Sequence, residues 1–367
     1  MENKKVFCGL PPLSIGGRKV MVPIIQGGMG MGISLDRLST AVAKSGGIGV
    51  ISAIMCGANE EGFAKHPTEV SLEALKEYIK RAKENSGGVV GVNLMVVSND
   101  YKRYIQVSID AGADLLICGA GLPLDLPHLV ETSDVGIAPI VSSGRAARII
   151  MQHWEKKYSR YPDAIVVEGP KAGGHLGFKE SQIFDPKFAL EILVVDVLRE
   201  IEPFEQRVGK KIPVIVAGGI YTGEDIFNFV RKGASGVQMG TRFVATHECD
   251  AAQPFKDAYV KARSEDVVII KSPVGLPGRA LKCSFLDEAT AGKRRPKRCI
   301  TKCIKSCKFP DTSNTPYCIS LALINVQRGN LDHGFIFCGS NVDRVDKIVH
   351  VKELMKELVE GYQAAAA

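Results

Sequence analysis

Hydrophobic positions along the chain follow two alternating patterns. Short apolar runs rich in β-branched residues alternate with longer segments in which apolar residues recur at the period of a helix. The short runs are apolar at successive positions, which is typical of parallel strands buried on both faces. The predicted strands are Pro23–Gln26, Gly49–Ser52, Val89–Asn93, Asp114–Cys118, Ile137–Val141, Ala164–Glu168, Pro213–Ala217 and Gly236–Met239. The predicted helices between them include Leu35–Lys44, Leu72–Glu84, Tyr101–Ala111, Gly144–Lys157, Pro186–Ile201 and Gly223–Lys232.

Eight strands with helical crossovers favour a closed (β/α)₈ barrel, the TIM barrel of the α/β class, over an open sheet. The chain has 367 residues, well above the ~250 that such a barrel needs. We therefore predict a barrel in residues 1–244, a smaller lobe inserted after the eighth strand in residues 245–316, and closing helices in residues 317–367. The closing helices are predicted at Ile319–Arg328 and Val345–Glu360.

Composition narrows the class of protein. Hydrophobic residues make up 45% and charged residues 24% of the chain, which is ordinary for a globular protein and excludes collagen, coiled coil and disorder. No apolar run is long enough to cross a bilayer, and the first residues lack the apolar stretch of a secretory signal. We therefore expect a cytoplasmic protein without a membrane partner, whose ten cysteines are thiols or ligands rather than disulfides.

The net charge of +7 is concentrated in one place. Lys293 to Lys308 contains eight basic residues and no acid, so the rest of the chain is close to neutral. This predicts one local anion-attracting patch and no general surface for nucleic acid.

The working face of a (β/α)₈ barrel lies at the carboxyl ends of its strands, so the residues there are the candidates for chemistry. The first strand runs into Gly27, Gly28 and Met29, where glycines let the backbone approach a flat ligand. The seventh and eighth strands end in Ala217-Gly218-Gly219 and Met239-Gly240-Thr241. Loops after these two strands often bind phosphate in such barrels.

The sixth strand ends in the most informative segment, Glu168 to Gly177, which carries His175 just after Gly173 and Gly174. An imidazole with an ordinary pKa near ~6.5 can accept or give a proton at neutral pH. His175 is therefore the candidate catalytic residue, although a single histidine is often only structural.

Asn93 ends the third strand, and Ser142 and Ser143 follow the fifth. These small polar side chains suit the edge of a heterocycle or a phosphate oxygen, but they also cap helices. Both interpretations are open from the sequence.

The motifs PIIQGGMGMG, GGIGVIS, EGPKAGGHLG, VIVAGGI and GVQMGTRF, in this order, make the chain resemble the nitronate monooxygenase (2-nitropropane dioxygenase) family of FMN-dependent barrels. That family is similar to the flavin-dependent enoyl-acyl carrier protein reductases. The resemblance implies an FMN phosphate on Gly218, Gly219, Gly240 and Thr241, and His175 beside the reactive edge of the flavin. The other cofactor contacts that it implies are Gly27, Gly28, Met29, Asn93, Ser142, Gly173, Gly174, Ala217 and Met239.

The resemblance implies one of two activities that share this flavin site. A nitronate monooxygenase oxidises an alkyl nitronate with O₂, with His175 as proton acceptor. A reductase takes electrons from NADH or NADPH and passes hydride to an enoyl thioester or a quinone, with an acyl carrier protein as a further partner. We expect a small-molecule substrate in either case, and the homo-oligomeric state is open.

The chain departs from the family in two places. Lys171 stands where the family usually has an acidic or small residue, which changes the charge beside the active-site loop. The best-known monooxygenases also lack a cysteine-rich lobe of this kind.

Four cysteines in and just after the predicted lobe, Cys299, Cys303, Cys307 and Cys318, have the spacing C-x₃-C-x₃-C-x₁₀-C. Four thiolates can hold zinc or an iron–sulfur cluster, but this spacing matches no standard finger or ferredoxin signature. If Lys297 to Lys308 is helical, three of them form one stripe, as buried thiols also would. Buried thiols are the first interpretation and a metal site the second.

Two further classes of protein are weaker alternatives. A barrel resembling inosine monophosphate dehydrogenase needs a cysteine nucleophile after the sixth strand, and Gly169 to Phe184 contains none. A metal-bearing protein that binds nucleic acid through the basic segment needs aromatic stacking platforms, for which only Phe309 and Tyr317 are available there.

Overall fold

The computed structural model describes residues 10–294, 299, 301–305, 307 and 315–367. Its strands are β1 (Leu13–Ile15), β2 (Arg18–Val20), β3 (Ile24–Gln26), β4 (Ile48–Ser52), β5 (Val89–Met95), β6 (Leu115–Gly119), β7 (Gly136–Val141), β8 (Ile165–Glu168), β9 (Gly174–His175), β10 (Val214–Ala217), β11 (Gly236–Met239), β12 (Val267–Lys271) and β13 (Pro277–Leu281).

Its helices are α1 (Asp36–Lys44), α2 (Pro67–Ser86), α3 (Tyr101–Asp110), α4 (Leu126–Leu129), α5 (Gly144–Tyr158), α6 (Leu190–Val208), α7 (Gly223–Arg231), α8 (Thr241–Val244), α9 (Gln253–Lys261), α10 (Ser284–Thr290), α11 (Ile319–Gln327) and α12 (Val351–Ala366).

Eight strands form a closed parallel barrel in the order β3-β4-β5-β6-β7-β8-β10-β11, with β11 pairing back onto β3. The predicted (β/α)₈ barrel and its eight strands are therefore confirmed. Every residue of β4, β6 and β10 is buried. Alternate side chains along each strand point into the barrel, and the side chains between them pack under the surrounding helices.

The hairpin of β1 and β2 closes the amino-terminal end of the barrel. Leu13, Ile15 and Val20 lie in one buried cluster with the inward-facing residues of the barrel, among them Ile25 and Ile48. This end is therefore a packed plug, and the carboxyl end of the barrel is left for a ligand.

The carboxyl-terminal helix α12 completes the outer ring. It packs between α7 and α1, and a Cβ placed on Gly223 would lie 2.2 Å from the backbone nitrogen of Tyr362. Only glycine allows the two helix backbones to approach so closely.

The described residues between β11 and α12 form a lobe over the carboxyl end of the barrel. Its strands β12 and β13 form an antiparallel sheet, and β9 joins β13 from the loop after β8. Helix α11, predicted as a closing helix, contributes Ile319 and Ala322 to an aromatic cluster of this lobe with Phe285 and Phe335.

Asp250 ties the lobe to the barrel. Its Oδ2 accepts hydrogen bonds from the backbone N–H groups of Leu35, at 2.8 Å, and Leu38, at 3.3 Å. Leu35 precedes the first residue of α1 and has no capping side chain of its own. A carboxylate from another part of the chain therefore caps this helix.

The helix considered for Lys297 to Lys308 falls partly outside the described residues. Residues 301–305 are not helical: Lys302 has φ +43°, and Ile304 forms an isolated bridge with Ser98. The nine cysteines that the structure describes form no disulfide. Among the described helices, none has the length and apolar character needed to span a bilayer.

Candidate active site

A cavity of about 800 Å³ opens at the carboxyl ends of the barrel strands, between the barrel and the lobe. The structure places His175 and all thirteen predicted cofactor contacts in its wall: Gly27, Gly28, Met29, Asn93, Ser142, Gly173, Gly174, Ala217, Gly218, Gly219, Met239, Gly240 and Thr241. Residues from six strand ends therefore meet around one space.

The loops after β10 and β11 form one end of the cavity. Gly218 and Gly219 have φ of +93° and +91°, a conformation that glycine adopts without strain. Gly240 immediately precedes α8, and both Gly240 and Thr241 line the cavity. The first N–H groups of a helix have no partner within the helix. This arrangement offers backbone donors to an anionic group.

A third loop, Gly339 to Asn341, completes this end and was not predicted. Asn341 Nδ2 donates to the carbonyl oxygen of Gly219 at 2.8 Å. A Cβ on Gly339 would lie 2.4 Å from Thr241 Oγ1. Ser340 Oγ is buried in the cavity wall and has no hydrogen-bond partner within the described residues. The loop comes from more than 90 residues further along the chain, so strand-end reasoning could not place it.

The loop after β3 forms a flat wall against β5. A Cβ on Gly28 would lie 2.2 Å from Asn93 Cβ, so only glycine fits here. Asn93 Oδ1 accepts a hydrogen bond from Ser52 Oγ at 3.3 Å, which fixes the amide. Gln238 Oε1 is buried in the same wall without a partner in the described part of the chain.

Both serines after β7 line the cavity, and Ser143 also caps a helix. Ser143 Oγ accepts a hydrogen bond from Ala146 N at 3.2 Å and caps α5. Ser142 lines the cavity, where a Cβ on Gly177 would lie 2.6 Å from its Oγ.

His175 lies on β9 and is held by the lobe. Its backbone pairs with Gly278 of β13, its Nε2 lies 2.8 Å from Ser272 Oγ, and its ring makes an edge contact with Phe337. Burial lowers the pKa of the imidazole to about 4. His175 is therefore a neutral imidazole at neutral pH, able to accept a proton.

Ser272 and Glu168 are site residues that the sequence reasoning missed. Ser272 follows β12 in the lobe, about a hundred residues from the histidine that it contacts. Glu168 ends β8 and lines the cavity, and burial raises the pKa of its carboxyl to about 7. Its position at a strand end was a signal that could have found it.

The lobe supplies the apolar side of the cavity. Val274, Leu276, Ile304 and Leu323 line it, together with the thiol of Cys303. This side has room for an uncharged organic substrate beside His175.

The four cysteines considered as metal ligands do not surround a single ion. Among the described residues, no three His, Cys, Asp or Glu side chains are placed to hold a metal. Burial raises the pKa of Cys303 and raises that of Cys318 to about 11, so both are thiols at neutral pH when no metal is bound.

The family model for nitronate monooxygenase matches residues 13–361 of the chain. The chain belongs to the nitronate monooxygenase family. The match includes the barrel, the described part of the lobe and most of α12.

The individual proteins that match the chain have only about a quarter of their aligned residues in common with it. A 5-hydroxy-7a-methyl-1-oxo-octahydro-1H-indene-4-carboxyl-CoA dehydrogenase of Mycobacterium tuberculosis is 26% identical over 74% of this chain. The match spans 66% of that protein's length, slightly under two thirds. A probable nitronate monooxygenase of Staphylococcus aureus is 27% identical over 72% of this chain and 77% of its own length. The solved structure of FabK from Thermotoga maritima has a TM-score of 0.73 and 25% identity, covering 95% of this chain and 94% of FabK.

Proposed function

We propose that this protein is an FMN-dependent oxidoreductase that oxidises alkyl nitronates with O₂, with His175 as the proton acceptor. The observation that carries the proposal is a neutral, partly buried imidazole in the wall of a cavity whose other end is lined by the glycines of two strand-end loops. Membership of the nitronate monooxygenase family supports it.

The cavity fits FMN by the chemistry of its walls. The N–H groups around Gly218, Gly219 and Gly240, with the hydroxyl of Thr241, suit a phosphate. Ser340 Oγ and Gln238 Oε1, which have no hydrogen-bond partner among the described residues, are buried polar atoms of the kind that a polar ligand satisfies. These residues, with Gly27, Gly28 and Met29 against the ring, would hold the cofactor.

The chain's own residues have defined tasks in this reaction. When bound, FMN supplies the electron acceptor for the substrate. His175 accepts the acidic α-proton of a neutral nitroalkane, because its imidazole is unprotonated at neutral pH. Ser272 orients the imidazole through the 2.8 Å contact with Nε2. The lobe excludes water from the apolar side, and we propose that residues 245–316 thereby select the substrate.

The test replaces His175 by Ala and measures turnover of a neutral nitroalkane and of its preformed nitronate. We expect FMN to be retained and turnover of the neutral substrate to fall by ~10²–10⁴. The nitronate, which has already lost its proton, should be affected much less. Equal loss for both substrates would contradict the role of proton acceptor.

An anaerobic titration with NADH and NADPH tests the class of activity. We expect the visible flavin spectrum to persist. Bleaching by either nucleotide would replace the proposal with a reductase of enoyl thioesters or quinones, and a protein that takes up no FMN would refute both. An acyl carrier protein partner, a homo-oligomer and a cytoplasmic location stay predictions.

A further inference from the structure

Lys171 is the only lysine or arginine among the described residues of the cavity wall. Its ammonium forms no hydrogen bond or salt bridge within the part of the chain that the structure describes. His175, the other nitrogen base in the wall, is neutral at neutral pH. The described wall of the cavity therefore carries one positive charge, and the proposed reaction gives that charge no task.

The side chain of Lys171 lies against Gly219, in the loop after β10. A Cβ built on Gly219 would lie 2.9 Å from both the Cβ and the Cδ of Lys171. The aliphatic part of the lysine therefore packs over Gly219, and its nitrogen is two bonds beyond Cδ. Lys171 is exposed, as is typical of a lysine that packs its carbon chain on the protein and leaves its charge at the surface. An anion held by the loop of Gly218 and Gly219 is within reach of this nitrogen.

The backbone of Lys171 is fixed by the lobe. Its carbonyl oxygen accepts a hydrogen bond from the backbone N–H of Ser340 at 3.1 Å. The buried side chain of Arg279 donates to the carbonyl oxygens of Pro170, at 2.8 Å, and Ala172, at 2.5 Å. Three successive carbonyl groups are therefore hydrogen bonded to the lobe. The lysine is held over Gly219 before any ligand binds, which lowers the entropy lost on binding.

The other groups at this end of the cavity are neutral. Ser340 Oγ is buried there and has no hydrogen-bond partner among the described residues, and Thr241 lines the same end. A phosphate monoester carries a charge of about −1.5 to −2 at neutral pH and has three acceptor oxygens. Neutral donors together with one ammonium match this group, because lysine binds phosphate as a point charge.

We propose that Lys171 binds the phosphate of FMN and thereby determines how strongly the protein prefers FMN to riboflavin, which lacks the phosphate. This inference rests on the proposed function, because it takes FMN to be the cofactor. The cofactor contacts predicted from the sequence do not include Lys171.

The experiment measures the dissociation constants of FMN and riboflavin by fluorescence titration of the full-length protein freed of flavin. The variants are Lys171→Gln, which removes the charge, and Lys171→Arg, which keeps it. In Lys171→Gln we expect FMN binding to weaken about 10-fold, the low end for a charge-assisted hydrogen bond, because the lysine is exposed. Riboflavin should bind equally well to all of these proteins. Lys171→Arg should keep most of the preference for FMN.

Lys179→Gln is the matched control. Lys179 is also exposed and lies in the same segment after β8, but it is outside the cavity wall. We expect this variant to bind FMN like the wild type. Salt gives a second measurement, since it screens the attraction between exposed charges. Raising the salt concentration from about 0.05 M to about 0.5 M should weaken FMN binding more in the wild type than in Lys171→Gln.

The same ratio of FMN affinity to riboflavin affinity in the wild type and in Lys171→Gln would overturn the inference. So would an equal loss of FMN binding in Lys179→Gln, which would show only a general attraction between the protein and an anion. An unchanged ratio with a raised KM for a nitronate would place Lys171 beside the substrate, and would overturn it too. These outcomes leave the proposed function in place, whereas a protein that binds neither flavin contradicts the proposed function itself.

Discussion

Protonation of His175 should lower the stability of the folded protein. Burial lowers its pKa to about 4 in the fold, whereas an unfolded chain gives histidine its ordinary value of about 6.5. As the pH falls below the ordinary value, the unfolded chain binds a proton that the folded protein does not. Stability from this residue is therefore fully present at neutral pH and is lost as the pH falls toward the folded pKa.

The magnitude follows from the two pKa values. Between about pH 7.5 and about pH 5, this linkage removes roughly 2 kcal/mol from the free energy of unfolding. Other groups in the protein also titrate in this range, so the comparison needs a variant that differs in this one residue. His175→Gln supplies a side chain that hydrogen bonds but does not titrate.

The assay is urea unfolding of both proteins at the two pH values, with the same excess of FMN. On going from the higher to the lower pH, the wild type should lose about 2 kcal/mol more of its free energy of unfolding than His175→Gln does. A difference that is the same at both pH values would refute the reasoning, because it would mean that His175 titrates alike in the folded and unfolded chains.

Three other substitutions test the site and the contacts that hold it in place. Ser272→Ala should keep FMN but lower turnover about 5–10-fold, the effect of losing one hydrogen bond, while Ser272→Thr should restore turnover. Normal turnover in the Ala variant would mean that Ser272 does not orient His175. Gly219→Asp should abolish FMN binding measured by fluorescence, since it places a carboxylate at the proposed phosphate site. The control for backbone strain is Gly209→Asp, at φ +69° in a helix cap away from the cavity. Equal loss of FMN binding in both variants would speak against phosphate recognition. Asp250→Ala should lower the free energy of unfolding by about 1–2 kcal/mol in thermal unfolding, while Asp250→Asn should lower it little. Equal losses of stability in the two variants would show that Asp250 does not stabilise the fold by capping α1.

The barrel could be predicted because each of its strands carries its own signal. Runs such as Val89–Asn93 and Pro213–Ala217 are apolar on both faces, and this follows from local sequence alone. The site followed from the barrel, since the carboxyl ends of the strands must meet at one face. His175 and the glycines around it were found through that geometry.

The remaining site residues depend on contacts between distant parts of the chain. Phe337 and the loop around Ser340 reach the cavity, and Ser272 reaches His175, through the folding of the lobe. The sheet of the lobe also pairs with the two-residue strand β9. A strand of two residues has no hydrophobic periodicity of its own. The cap provided by Asp250 was missed for the same reason, because its partners precede it by more than 200 residues.

Because β9 pairs with β13, His175 is attached both to the barrel and to the lobe. Its chain connections are to the barrel, but its side chain bonds to Ser272 of the lobe, and the backbone N–H of the next residue, Leu176, donates to the carbonyl oxygen of Pro277 in β13. Any lifting of the lobe that admits a bulky molecule must therefore break these bonds or carry the imidazole with it. In the proposed reaction, proton abstraction by His175 would therefore require the lobe to be seated on the barrel as it is in this structure.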